Sequence, residues 1–274
     1  MKSILRIMAV LCVLPSCGGG GKVPEVERPF KIAPDRVTER GRSARVVGEG
    51  RLVTDWTGVV QDRTFRTDIP GLPKFRAPGF PLLEVLYAMA LEESLRNVRP
   101  DGAFMAGEKW NGVWTRDIAY SIHLALAATH PDVSRKSLLA KVSGDGEVIQ
   151  DTGTGGSWPV STDRVVWAIA AWELYCHTGD AAWLAQSYGI LRKTALRDRH
   201  AAFGVESGLY YGESSFLDWR EQTYPSWMEP VDIFESRALG TNMRHYRLLV
   251  ILQEMAEKLG RPAAEGRQWG ERAA

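Results

Sequence analysis

The stretch Asp163-Arg164-Val165-Val166-Trp167-Ala168-Ile169-Ala170-Ala171-Trp172-Glu173-Leu174-Tyr175-Cys176-His177-Thr178-Gly179-Asp180-Ala181-Ala182-Trp183-Leu184 decides the fold. Its first part, from Asp163 to His177, is apolar nearly all round a helix, and a helix of that kind belongs at the centre of a domain. Thr178-Gly179-Asp180 is then a tight stop and restart, with glycine closing one helix and aspartate capping the next. Trp183, Leu184, Tyr188, Ile190 and Leu191 carry the second helix. The unit is a helical hairpin with a minimal turn.

The same rhythm extends in both directions. After the Pro78-Gly79-Phe80-Pro81 breaker, Leu82, Leu83, Leu86, Tyr87, Ala90 and Leu91 recur at helical spacing and predict a first helix that ends before Pro100. A second starts near Thr115 or Asp117 and runs to His130-Pro131, and a third follows at once through Leu138, Leu139 and Val142. Downstream, Leu239 to Leu259 reads as a sixth helix, and a seventh opens at Pro262, a residue tolerated in a first turn. Long loops precede the second, fourth and sixth helices, whereas short turns precede the third, fifth and seventh. Stacked hairpins of this kind send every long loop to one end, with the second, fourth and sixth helices parallel on the inside. The expected fold is all-α, a ring of hairpins spanning residues 81–274. Three hairpins leave apolar faces uncovered, so the reading expects completion by the rest of a longer chain or by a partner. Residues 22–80, with short alternating pieces at 51–54 and 64–67, read as an extended arm or a few strands.

Composition narrows the function. Lys+Arg 34 against Asp+Glu 33 leaves no basic field for a polyanion, which argues against nucleic acid. Ten Trp residues are the outlier, serving either as bundle core or as flat platforms for sugar rings. At the N-terminus, Lys2 and Arg6 precede an apolar run from Ile7 to Leu14, well short of the ~20 residues that span a bilayer. Leu14-Pro15-Ser16-Cys17, followed by Gly18 to Gly21, resembles a bacterial lipoprotein signal. The resemblance implies removal of residues 1–16, a lipid on Cys17 and a flexible tether opening the segment 17–80. It also implies the cell envelope as location, periplasmic or at the outer-membrane surface; an ordinary cleaved export signal is the alternative. Cys12 goes with the signal, which leaves Cys176 as a lone thiol, expected to be a small buried hydrophobe.

The long loops hold the chemistry. The first contains Trp110-Asn111-Gly112-Val113-Trp114-Thr115-Arg116-Asp117, where Asp117 is either a carboxylate favoured by the helix dipole or, with Arg116 and two Trp residues, part of a sugar site. The second contains Asp145, Glu147, Asp151, a glycine run, Trp158 and Thr162-Asp163. It lacks the Lys of a phosphate-binding loop and the spacing of a calcium loop, and Asp163 reads as a helix N-cap. The third runs Tyr210-Tyr211-Gly212-Glu213-Ser214-Ser215-Phe216-Leu217-Asp218-Trp219-Arg220-Glu221-Gln222, then Tyr224-Pro225-Ser226-Trp227. Carboxylates hemmed in by aromatics lose hydration and gain pKa, which a proton donor to a glycosidic oxygen requires.

The hairpin rhythm, Trp114-Thr115-Arg116-Asp117, Thr162-Asp163-Arg164 with Trp167, and Glu213-Ser214 to Trp219 together resemble the six-hairpin glycoside hydrolases. The likeness is to the trehalase, processing α-glucosidase and glycogen-debranching type. It implies an (α/α)6 toroid, here its N-terminal half, and an inverting mechanism with one carboxylate as acid and another activating water. Asp218 then corresponds to the general acid, although Glu213 to Asp218 carries one residue more than the trehalase pattern and Phe216 stands in place of its Trp. The base of the family lies in the later half of the barrel; Asp117 or Glu213 fills that role if the chemistry differs. Trp110, Trp114, Arg116, Trp158, Asp163, Trp219, Arg220, Glu221 and Trp227 would contact an oligosaccharide or polysaccharide of α-linked glucose or a related sugar. No cofactor or metal is called for. Two other readings use the same residues: a lipoprotein that binds glycans without cleaving them, and a polysaccharide lyase, for which the scattered histidines give no obvious set.

Overall fold

The computed structural model describes residues 30–151, 157–214 and 224–274. The N-terminal arm is more ordered than its sequence indicates. Strands β1 (Lys31–Ala33), β2 (Arg36–Glu39), β3 (Arg42–Gly48), β4 (Arg51–Thr54) and β5 (Gln61–Thr64) form an antiparallel meander in chain order. Val37 pairs with Ala44 and Val46 with Leu52, and this small apolar set packs with Phe65 over Leu82, Val85 and Ala88 of helix α1 (Pro81–Arg96). The amide of Leu82 donates to the Pro34 carbonyl at 3.0 Å, fastening the sheet to the start of the helix. An all-α description therefore fails before residue 80, and beyond it the helices are interrupted by a two-stranded hairpin. The strands have three to seven residues and are largely exposed, so their alternation is weak in the sequence.

Beyond the sheet the chain is helical. Helix α2 (Thr115–Ser121) passes through a π-helical stretch (Ile122–Leu126) into α3 (Ala127–Thr129), and α4 (Pro131–Leu139) turns back. A 3-10 turn (Asp163–Val166) leads into α5 (Trp167–Thr178), followed by α6 (Ala181–Ala202). A small hairpin, β6 (Phe203–Gly204) and β7 (Leu209–Tyr210), precedes α7 (Pro230–Glu235), α8 (Leu239–Lys258) and α9 (Ala263–Ala273).

Helix α5 is central, packing against α2, α4, α6 and α8. Burying tryptophan requires a partner for each indole N–H. Trp167 donates to the Leu138 carbonyl at 2.9 Å and Trp183 to that of Ala171 at 3.0 Å. The turn between α5 and α6 is built as its residues dictate: Gly179 has φ 65° and Asp180 accepts from the Trp183 amide at 2.9 Å. Trp269 Nε1 donates to Tyr188 Oη at 3.0 Å, and Tyr188 donates to Glu265 at 2.6 Å, which clamps α6 to α9.

Cys176 is exposed, contrary to expectation. The buried residues of α5 end at Leu174, and the last turn of the helix emerges from the core. Partial desolvation of the sulfur, then the charges of Glu173 and Glu254, raise the thiol pKa and disfavour a thiolate. One stripe of α8, with Leu239, Met243 and Tyr246, is 78%, 55% and 50% exposed, and Leu124 on the π-helical stretch is exposed as well. Among the described residues, no helix is long and apolar enough to cross a membrane.

Candidate functional site

The three long loops meet. The amide of Thr115, at the start of α2, donates to Asp151 Oδ2 at 2.5 Å, and the other carboxylate oxygen of Asp151 pairs with Lys141. A carboxylate from the second loop thus caps the helix that the first loop begins, satisfying an N–H at the positive end of the dipole. One residue on, Arg116 Nη1 lies 3.3 Å from Asp163 Oδ2, both side chains being largely buried. Thr162, not Asp163, occupies the cap position of the 3-10 turn, so the Asp163 carboxylate serves the ion pair in place of the expected cap. Trp114, Arg116, Asp117, Asp151, Asp163 and Arg164 line one small polar cleft. Asp117 is exposed on its rim and also borders a cavity of about 340 Å³ walled by α1 and the π-helical stretch, including Glu93, Asn97, Phe104 and Ser121. π-Helical insertions recur at functional sites.

The third loop joins from behind. Glu213 is buried; its amide donates to the Val160 carbonyl at 2.8 Å and its carbonyl accepts from Thr241 Oγ1 on α8. One helical turn after Thr241, His245 stacks on Tyr210 with ring centroids 3.6 Å apart, and its Nε2 is 2.8 Å from Thr162 Oγ1. Segments 160–163, 210–213 and 241–245 are thereby locked together. The first turns of α2, of the lead into α5 and of α8 lie at one end of the stack, so these three helices start side by side. Arg244 adds a further link, 5.1 Å over the ring of Tyr120 on α2.

Electrostatics sort these groups. Burial, with Arg164 adding to it, pushes His245 down to about 3, so the imidazole is neutral. Burial pushes Tyr120 and Tyr210 up to about 12. Beneath the cleft, Arg164 is buried and donates to Asp198 at 2.5 Å and to the Val148 carbonyl at 2.8 Å, while its amide donates to Gln150 at 2.9 Å. Burial raises the Asp198 carboxyl and the Arg164 guanidinium opposes that rise.

The sequence-derived candidates divide accordingly. Arg116, Asp117, Asp163 and Trp114 share the cleft, and Glu213 joins the same junction through Val160. Trp158 donates to Asp198 at 2.8 Å and its ring lies 4.5 Å from the Arg197 guanidinium, so it supports the floor. Trp110 and Trp227 are exposed, at 59% and 70%. Asp218, Trp219, Arg220, Glu221 and Cys17 lie outside the described residues. Sequence reasoning missed Gln150, Asp198, Thr241 and His245, and it quoted Thr162 and Arg164 within a motif without giving either a role. A signal existed for two of them: Thr241 and His245 occupy the same helical stripe as Leu248 and Leu252, where an apolar residue is the rule. Among the described residues, no group of three His, Cys, Asp or Glu side chains is arranged to hold a metal ion.

No protein-family model matches the chain, and no curated protein matches it in sequence. Among solved structures it is similar to a GH63 mannosylglycerate hydrolase from Thermus thermophilus, solved with Tris and D-glycerate, at 16% identity and a TM-score of 0.48. The match covers 67% of this chain and 62% of that one, so the chain spans less than two thirds of that protein's length.

Proposed function

We propose that the chain belongs to a glycoside hydrolase built as an (α/α)6 toroid, acting on α-linked glucosides or related oligosaccharides by carboxylate acid and base catalysis with inversion. The observation that supports it best is the meeting of three loops at the starts of α2, α5 and α8, which gathers Arg116, Asp117, Asp163 and Glu213 at one junction. Paired carboxylates with a guanidinium in a polar cleft suit sugar hydroxyls and a protonated leaving oxygen. In this reading Asp218 is the acid, Arg116, Asp163, Arg220 and Glu221 hold hydroxyls, and Trp110, Trp114, Trp219 and Trp227 stack against sugar faces, while Trp158, expected from the sequence to stack as well, supports the floor instead. Further hairpins, from the same polypeptide or a partner, cover the exposed stripe of α8 and bring the base. The protein is held in the cell envelope by a lipid on Cys17, and a Cys17→Ser protein leaves the membrane fraction.

The test is hydrolysis of a panel of α-linked gluco-oligosaccharides by the protein as its gene encodes it, beside Asp218→Asn. Turnover falls by about 10²–10⁴ while affinity is kept, as expected for loss of a general acid. Unchanged turnover in Asp218→Asn sinks the assignment. Binding without turnover in the unaltered protein would establish the non-catalytic glycan binder instead, and an ultraviolet-absorbing unsaturated product the lyase.

A further inference from the structure

On the outer side of the stack, a groove of about 560 Å³ runs between α6 and α9, and Arg192, Arg261 and Arg272 reach its walls beside Gln268 and Trp269. Arg199, two turns after Arg192 on α6, brings a fourth guanidinium close to Arg272. A single carboxylate, Glu265, lines the groove. It is already shared, accepting from Tyr188 at 2.6 Å and lying 3.7 Å from Arg261 and 4.0 Å from Arg192. Among the described residues, Arg199 and Arg272 form no salt bridge, although both are half-buried; Arg199 is hydrogen-bonded to Tyr210.

Three of these arginines are held against aromatic rings. Arg272 lies 4.8 Å over Trp269, Arg199 4.0 Å over Phe203 and Arg261 5.5 Å over Tyr188. A ring face attracts the guanidinium charge while leaving N–H donors at the planar edge for another partner. The cost of the cluster shows in the lowered pKa of Arg272, caused by burial and then by the neighbouring charges of Arg199 and Arg192. Three guanidinium charges lining a partly desolvated groove around one carboxylate, with Arg199 close to Arg272, are relieved by a bound anion. Several guanidinium forks in one place match the geometry of a tetrahedral oxyanion better than that of a monovalent ion.

We propose that the groove between α6 and α9 binds a phosphate-bearing ligand, at a site separate from the candidate glycan cleft. Inorganic pyrophosphate is the probe, titrated calorimetrically into the full chain at constant ionic strength with sodium chloride as the control. Pyrophosphate binds saturably where chloride does not, and Arg192→Gln and Arg272→Gln each weaken it by about ten- to a hundredfold, the worth of one charge-assisted hydrogen bond. Arg267→Gln, whose side chain lies outside the groove, keeps the affinity. Arg192 is half exposed, so its variant keeps the fold even if Arg272→Gln does not.

A second arm finds the source of the phosphate. With Cys17→Ser, so that lipidation does not contribute, co-sedimentation with phosphatidylglycerol vesicles but not phosphatidylcholine vesicles, lost in Arg192→Gln, identifies a lipid headgroup. Pyrophosphate binding without vesicle binding identifies a soluble phosphate compound. The proposal is overturned if pyrophosphate behaves like chloride at matched ionic strength, or if it binds equally well to Arg192→Gln and Arg272→Gln.

Discussion

His245 ties the junction to pH in a way that can be worked out. The residue is 1% exposed, is sandwiched against Tyr210 and reaches Thr162 through Nε2. Its folded pKa of about 3 lies well below the ordinary 6.5. Between those values the unfolded chain binds a proton that the folded chain refuses, so stability rises with pH. The contribution is complete above pH 6.5 and is lost as pH falls toward 3. At 1.36 kcal/mol for each unit of displacement, the loss between pH 7 and pH 5 is about 2 kcal/mol, and by pH 4 it exceeds about 3 kcal/mol. The perturbation is His245→Phe, which keeps a ring against Tyr210 and removes the titration. Urea unfolding at pH 7 and pH 5, followed by circular dichroism, measures both proteins. His130, whose pKa burial also lowers, is common to the two and cancels in the difference. The variant is less stable at pH 7, because Thr162 loses a partner, but its stability changes between the two pH values by about 2 kcal/mol less than that of the unaltered protein. Identical pH dependence in the two proteins would falsify the assignment of a buried, neutral imidazole.

Two further substitutions probe the frame of the cleft. Asp198→Ala removes the closest carboxylate from the buried Arg164 guanidinium, leaving the Val148 carbonyl and Glu147 at 3.9 Å, and also frees the Trp158 N–H; the expected loss is about 3–5 kcal/mol, or about 10 °C in Tm. The double change Arg164→Met with Asp198→Leu recovers much of this, and a calorimetric scan in which the single variant is as stable as the parent refutes the buried pair. Gly212→Ala strains a φ of 119° and drives its Cβ to 2.6 Å from the Val160 carbonyl oxygen. It costs more than about 1 kcal/mol and loosens Glu213, so hydrogen exchange at the Glu213 amide speeds up if that amide is held by Val160 as described.

The helical hairpins were legible because their signals are local. Apolar spacing along α5, the Gly179-Asp180 turn and the breakers around Pro81 and Pro131 act within a few residues, and short-range propensity is enough to read them. The small sheet was only half legible, since strands this short become a sheet through partners and gain their apolar face from α1. The π-helical stretch left no mark in the spacing, because it costs one residue of register and neighbouring packing decides where that residue goes. Cys176 shows the limit from the other side: its neighbours are apolar, but exposure depends on where α5 leaves the core.

The sequence by itself determined which residues would cluster in long loops, and it marked Arg116, Asp117, Asp163 and Glu213 as carriers of chemistry. Only the tertiary structure decided the pairings: Arg116 with Asp163, Asp151 as the cap of α2, Arg164 with Asp198, and His245 between Tyr210 and Thr162. These contacts join residues tens of positions apart. Their energies depend on distance and burial in three dimensions, and neither quantity is encoded in any window of the chain short enough to read.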